Sequence, residues 1–431
     1  MKRLFLLIIC TMGVYLGPYA KSLEKVLLAQ YGSLEQSQIE CTLAKALDDI
    51  DGKCLILPDM PIDLGDVRIS DKVNFAIRGN KKYPITCKDF CVRDCSNFEL
   101  SNLFVKGVKH KFATFCVIGN CSGFSIHNCL FDSEKGVDGH NQFYGIHVIA
   151  DSQKPNATYE NSPRHFRIYN NVVKNTRYDG ILAHAHCSDF VIEKNTIIGA
   201  ECIGIEIEGR YGDSKTTTVH PCKNAIIRNN LMHDCKEGWN ILVMWTDGVK
   251  ICRNRCYNGF GSFLSVGCTN LKVKSNYLEG RVYGFELSNE FYKIENGFND
   301  HVLIKNNIII GKSRSAERGV IDVCHSMNVM VKKNKIKSIF RDKSAMISVA
   351  SSKHVTINKN KFVGGDKRLY YAILINNVPD YETKEYVSNL DIEDVEISNN
   401  TFVGNDMSIE SNGISLSQVN CVIKCNKFKW K

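Results

Sequence analysis

An aliphatic residue followed three positions later by asparagine recurs ten times between Ile168 and Lys431. The pairs are Ile168 and Asn171, Ile192 and Asn195, Ile227 and Asn230, Ile251 and Asn254, and Val273 and Asn276. They continue as Ile304 and Asn307, Val331 and Asn334, Ile357 and Asn360, Ile397 and Asn400, and Ile423 and Asn426. The shortest gaps between these asparagines are 22 to 27 residues. A fixed period of this length marks a solenoid, and the strand-like content of each unit marks a β-helix rather than a helical repeat. Asparagine suits the position because it tolerates the left-handed backbone of a sharp turn. Its amides, stacked from coil to coil, can also hydrogen-bond along the axis. Scattered surface asparagines would not keep an aliphatic residue three positions upstream every time.

A solenoid grows by stacking, so the 431 residues do not imply several ordinary domains. Residues 1–20 read as a secretory signal. Lys2 and Arg3 are basic, Leu4 to Leu16 are mostly apolar, and cleavage is placed after Ala20. The expected location is therefore secreted or periplasmic. The apolar run is too short to span a bilayer, and no later segment is long enough, so no membrane span is expected after cleavage. The formal charge is +9, and losing Lys2 and Arg3 leaves 9 − 2 = +7. That fits an anionic glycan slightly better than a neutral one. The basic residues form no concentrated run with interleaved aromatics, which argues against nucleic acid. The oligomeric state is left open.

Cysteines number 19, and several keep the repeat's register. Cys187, Cys222 and Cys268 each lie eight residues before a repeat asparagine. Cys121 and Cys95 continue the column, and Thr246 and Ser352 take the position in other coils. Adjacent coils are roughly 4.8 Å apart, within disulfide reach, yet stacked reduced thiols acting as small hydrophobes are the preferred reading. Cys87, Cys91 and Cys95 read as one face of a strand-like segment. No histidine or second cysteine pair completes a zinc pattern there.

Residues 21–66 read as an N-terminal cap and 67–431 as the β-helix. Leu34, Ile39, Leu43, Ala46, Leu47 and Ile50 make a helical stripe over 34–50, stopped by Gly52. A short strand, Cys54 to Leu57, then ends on Pro58. This start resembles that of pectate-lyase-like β-helix proteins, which implies a helix covering the first coil. The Asp-Asp-Thr signature often found ahead of that helix is missing. The last strand, Val422 to Lys431, carries lysines 424, 427, 429 and 431, which blunt an open edge.

Each coil also has a strand often opened by glycine, as in Gly145-Ile-His-Val, Gly180-Ile-Leu-Ala, Gly204-Ile-Glu-Ile and Gly284-Phe-Glu-Leu. Alternation puts the aliphatics inside and His147, His184, Glu206, Glu208 and Glu286 outside. Four insertions follow this strand: Asp151 to His165, Gly209 to Pro221, Ser288 to Asp300 and Asn376 to Asp394. They project from one edge, where repeat proteins commonly place a binding face. The segments His184 to Cys187 and Met244 to Thr246 carry no insertion and form the floor of a groove.

An extended groove on a β-helix flank resembles the substrate site of the pectin-lyase-like superfamily. That superfamily includes polysaccharide lyases, several glycoside hydrolase families and phage tailspikes. The resemblance covers roughly residues 34–431 and implies an all-β, single-stranded right-handed parallel β-helix with a short N-terminal capping helix. It leaves the activity open. A glycoside hydrolase needs two carboxyls about a sugar bond. Glu206 and Glu208 lie two apart on one strand, roughly 6.6 Å between Cα atoms, and Asp179 or Asp213 could replace either. A merely solvated pair of glutamates is the competing reading. A polysaccharide lyase needs a base and a positive group or cation beside a uronate carboxylate. His147, Tyr178, His184, His186 and Arg210 are candidates, and Glu206, Glu208 and Asp213 could hold Ca²⁺. A binding protein without catalysis would stack sugars on Tyr144, Tyr178, Tyr211, Trp239 and Trp245, with His186 and Glu286 along the groove. The Asn-Thr-Asp set with paired aspartates of polygalacturonases and the Arg-x-Pro-x-x-Arg of pectate lyases are both absent. The expected partner is a polysaccharide, cleaved in the groove or only bound there.

Overall fold

The structure is a computed structural model. It describes residues 23–107, 113–133, 144–151, 158–211, 218–287, 298–312, 318–339, 345–364, 371–376, 392–404, 408–412 and 420–429. The chain winds as a parallel β-helix, and each coil contributes a strand to three faces. The first sheet contains Tyr144–Ile149, Ile181–His184, Ile205–Glu208 and Trp239–Met244. The second contains Arg167–Tyr169, Ser188–Glu193, Cys222–Arg228 and Lys250–Cys252, and the third Val172–Lys174, Thr196–Ile198 and Leu231–His233. Neighbouring coils pair in parallel and in register. Inward positions form one continuous apolar core along the axis. Within it Phe75, Phe98, Phe124, Phe166 and Phe190 stack ring on ring, with centroids 4.7–5.2 Å apart.

The repeat asparagines sit between the second and third sheets and point inward. Each side-chain amide donates to the carbonyl oxygen of the next asparagine side chain, from Asn171 to Asn426, at 3.0–3.1 Å. Each main-chain N–H donates to the same oxygen at 2.8–3.0 Å. The ladder expectation holds. The left-handed expectation needs correcting by one residue. The positive φ belongs to the residue before each asparagine, such as Lys194 at 55°, Arg253 at 59° and Lys333 at 57°. That residue turns the corner, so the asparagine itself is free to face the core and satisfy buried main-chain groups.

At the N-terminal end, α1 (Ile39–Asp48) buries Ile39, Leu43, Ala46 and Leu47. It is shorter than the apolar stripe because Gln38 N–H bonds the Glu35 carbonyl and Ser33 Oγ accepts the Glu35 N–H, making turns of the preceding segment. Strands Glu24–Leu27, Lys53–Ile56 and Ile62–Asp63 pair into the second and third sheets. Coil-type pairing therefore reaches into the segment read as a cap. No helix among the described residues is long and apolar enough to cross a membrane.

The corner column runs Cys95, Cys121, Cys187, Cys222, Thr246 and Cys268, all buried, and the described cysteines are thiols. Burial pushes the Cys95 and Cys268 thiols up to about 11, which keeps them protonated and inert. Cys87, Cys91 and Cys95 do not share a face. Cys87 ends a third-sheet strand and is buried in the core, Cys91 lies on the outside of the first sheet, and Cys95 sits at the corner.

Removing one inner rung orphans groups on both sides. Asn254→Ala leaves the Asn230 N–H and the Ile227 carbonyl without partners and should cost about 3 kcal/mol. Asn426→Ala, at a half-buried position, should cost less than about 1 kcal/mol. Chemical denaturation of both variants checks the difference.

Candidate functional site

The first sheet carries a column of outward residues in register. It reads His147, Leu182, Glu206, Leu242, Leu264, Glu286, Asp322 and Ser348. Two residues further along the strands, Ile149, His184, Glu208, Met244 and Val266 form a second column. The intervening Ile146, Val148, Ile205 and Ile207 belong to the core, so the outward assignment of His147, His184, Glu206, Glu208 and Glu286 is what the strands adopt. The column is not a solvated face, however. His147 is 0% exposed, Glu206 6% and Glu286 4%, and His184 and Glu208 are half-buried.

The carboxyl pair in direct contact is Asp179 with Glu206, from adjacent coils, rather than Glu206 with Glu208. Asp179 is buried, and among the described residues its Oδ1 finds no hydrogen-bond partner. Burial pushes its carboxyl up to about 7; the Glu208 charge adds to this, while hydrogen bonds with Glu206 and the Ile203 main chain oppose it. An apolar wall of Ile203, Leu242, Met244, Trp245, Leu264 and Val266, with Trp239 packed against it, lies on the following coils. Low polarity of this kind makes an ionised carboxyl costly. His184 Nε2 stands 3.7 Å from Glu208 Oε2.

Aromatic and imidazole rings border the carboxyls. Tyr144 lies 4.8 Å from His147 and 6.1 Å from Tyr178, and His147 lies 5.9 Å from His184. Burial, with the Asp179, Glu206 and Glu208 charges, pushes the Tyr144 hydroxyl up from its usual value. Burial, with His184 nearby, pushes His147 well below the usual imidazole value. Near neutral pH Tyr144 is thus a proton carrier and His147 a neutral ring.

Seven expected residues therefore converge: Tyr144, His147, Tyr178, Asp179, His184, Glu206 and Glu208. Others separate. His186 turns the corner with φ 51° and pairs with His220, Nε2 to Nδ1, at 2.6 Å. Tyr159 closes on its edge at 5.0 Å, and Tyr159 Oη donates to the Pro221 carbonyl, tying the roots of two insertions together. Burial, His220 and Lys223 push His186 down to about 4. Trp245 is buried in the apolar wall. Glu286 is three rungs from Glu206, roughly 14 Å, and adjoins Asp322, which bonds Arg318 and Ser348. Asp322 escaped notice because its glycine is displaced, although Ile321-Asp-Val repeats the Phe285-Glu-Leu pattern.

Arg210 and Tyr211 open a two-residue antiparallel pairing with Thr218 and Val219; their side chains lie outside the described part. Asp213 lies outside the described residues, as do most of the four insertions. Among the described residues no three His, Cys, Asp or Glu side chains gather as cation ligands, so Glu206 and Glu208 do not complete a Ca²⁺ site without Asp213.

No family model matches the sequence and no curated protein matches it. Solved structures do. The A-module of a mannuronan C-5 epimerase from Azotobacter vinelandii aligns with TM-score 0.55 at 10% identity, over 93% of this chain and 98% of that one. DFA-IIIase from Arthrobacter chlorophenolicus A6 aligns with TM-score 0.56 at 14% identity, over 94% and 99%. The Dettilon tailspike protein aligns with TM-score 0.53 at 12% identity, over 94% and 68%. The chain thus has the right-handed parallel β-helix fold of pectin-lyase-like proteins.

The raised Asp179 gives stability a definite pH slope. Its native value lies above the unfolded 3.8, so the native state holds the proton more tightly. Both states carry it at low pH; from about 4 upward the unfolded chain releases it first, and stability falls until about 7. Asp179→Asn should flatten this decline, so that the variant melts above the wild type at pH 8 and close to it at pH 4. Parallel melting curves at both pH values would count against the assignment.

Proposed function

We propose that the chain is an exported glycoside hydrolase acting on a polysaccharide held along the first sheet. The observation that carries this reading is the buried Asp179 carboxyl, poised near neutrality against Glu206, with Glu208 two strand positions beyond. In this reading Asp179 donates its proton to the glycosidic oxygen as the carbon–oxygen bond breaks. Glu208 takes a proton from the water that bonds the anomeric carbon. Glu206 shares a hydrogen bond with the Asp179 carboxyl and orients it.

Proteins of similar fold support carbohydrate as the ligand class, since the epimerase is named for mannuronan. Export is supported by the basic and apolar start of the chain, Lys2 to Ala20. The Tyr144 and His147 rings favour a second reading, in which a neutral imidazole removes the proton beside a uronate carboxylate. Three carboxyl side chains at one site would repel that carboxylate, so we rank it second.

Asp179→Asn and Glu208→Gln should each lower kcat by on the order of 10³, and wild-type activity should fall as pH rises past about 7. The assay is release of reducing ends from a panel of neutral and acidic polysaccharides, with and without EDTA. Reducing ends accompanied by the ultraviolet band of unsaturated uronates would instead select the lyase reading. Binding across the panel with no turnover would remove the enzyme altogether.

A further inference from the structure

The opposite flank, outside the asparagine ladder, shows a charge pattern that the linear sequence hides. On the second sheet Lys250 stacks on Lys272, and Lys274 stacks on Lys305 and then Lys332, each in direct register. Across the corner, Lys335 stacks on Lys361 on the third sheet, and Lys333 and Lys359 occupy successive turn positions. Among the described residues no carboxylate pairs with any of these nine lysines. The acids nearby are engaged elsewhere: Glu193 with Arg167 and Arg228, and Glu279 with the Tyr277 hydroxyl. Burial, together with Lys272, Lys305 and Lys250, pushes the Lys274 ammonium below its usual value. Like charges directly opposite one another across strands destabilise a sheet, so the stack works against the fold unless something anionic covers it.

At the N-terminal end of this stripe lies a groove of about 900 Å³. Arg253, Arg255, Tyr257 and Tyr277 line it. Arg255 and Tyr277 are register neighbours, and the two tyrosine rings lie 4.9 Å apart. Cationic forks beside aromatic faces suit acidic sugars, which present carboxylates and flat apolar ring faces together.

We propose that this flank is a second glycan site, which holds a linear acidic polysaccharide along the solenoid axis and apart from the carboxyl-lined first sheet. The stripe crosses five coils, about 19 Å at 4.8 Å per rung. It offers a straight row of cations at a spacing on the order of one sugar unit. Duplex DNA fits less well, because its phosphates come every 1.7 Å or so on a cylinder, which would meet a flat face along one line only. The occupant need not be the polymer cleaved on the first sheet, so the proposal stands independently of the hydrolase reading.

The test is gel retardation of the full chain by polygalacturonate, dextran or duplex DNA over a salt series. Polygalacturonate should retard the wild type and dextran should not do so through this face. Lys274→Glu/Lys305→Glu/Lys332→Glu should weaken polygalacturonate binding at least tenfold and lower the salt slope by about three. The milder Lys274→Gln/Lys305→Gln/Lys332→Gln guards against misfolding and should show a smaller loss of the same sign. Asp179→Asn should bind polygalacturonate like the wild type, and the lysine variants should keep wild-type turnover of any short oligosaccharide the enzyme accepts. Binding needs no turnover, so a failed hydrolase assay leaves this result readable. Unchanged polygalacturonate affinity in both lysine variants would overturn the proposal. So would stronger retardation by duplex DNA than by polygalacturonate at equal salt.

Discussion

The structure depends on in-register stacking of one coil on the next, and the asparagine ladder is where that register is locked. Each asparagine oxygen accepts two N–H groups from the neighbouring coil, so a coil slipped by one residue would lose both and turn its aliphatics outward. The preceding residue takes the left-handed conformation at every rung. The turn therefore has the same shape in all ten coils, whatever the variable residues are. Register then propagates to everything else: the phenylalanine stack, the corner column of thiols and the outward columns all follow from it.

The same stacking converts sequence distance into adjacency. Asp179 and Glu206 are a coil apart in sequence and in contact in space, because Asp179 just precedes the first-sheet strand Ile181–His184, which stacks one rung from the strand that carries Glu206. The wall of Leu242, Met244 and Leu264 on the following coils then sets the polarity they experience. A proton-holding carboxyl beside two further carboxyls is thus a product of the rung spacing and of the apolar residues on neighbouring rungs together. The lysine stripe arises in the same way, from residues 22 to 31 positions apart that the register places side by side.

Two charge fields result, on opposite sides of the ladder. Carboxyls gather on the first sheet, while ammonium groups gather on the second and third. A solenoid can keep such fields separate because its faces share a core but no surface. One polymer chain could be handled on one face and another, or a remote stretch of the same one, on the other face.

The fold was legible from the amino-acid sequence because period and aliphatic spacing are local properties that a linear reading can count. Strand alternation likewise placed His147, His184, Glu206, Glu208 and Glu286 on the outer side correctly. What the linear reading missed is what depends on neighbours across the rungs. It put the left-handed turn on the asparagine instead of the residue before it. It paired Glu206 with Glu208 and kept Asp179 only as a substitute, though Glu206 is buried and bonded to Asp179. It gathered His186, Trp245 and Glu286 into one groove, though a corner, an apolar wall and three rungs keep them apart. It found no basic stripe, because the lysines lie a coil apart. Periodicity alone determined that the chain stacks; only the stacked structure decided which side chains meet, since contact, burial and charge are set between coils and not along them.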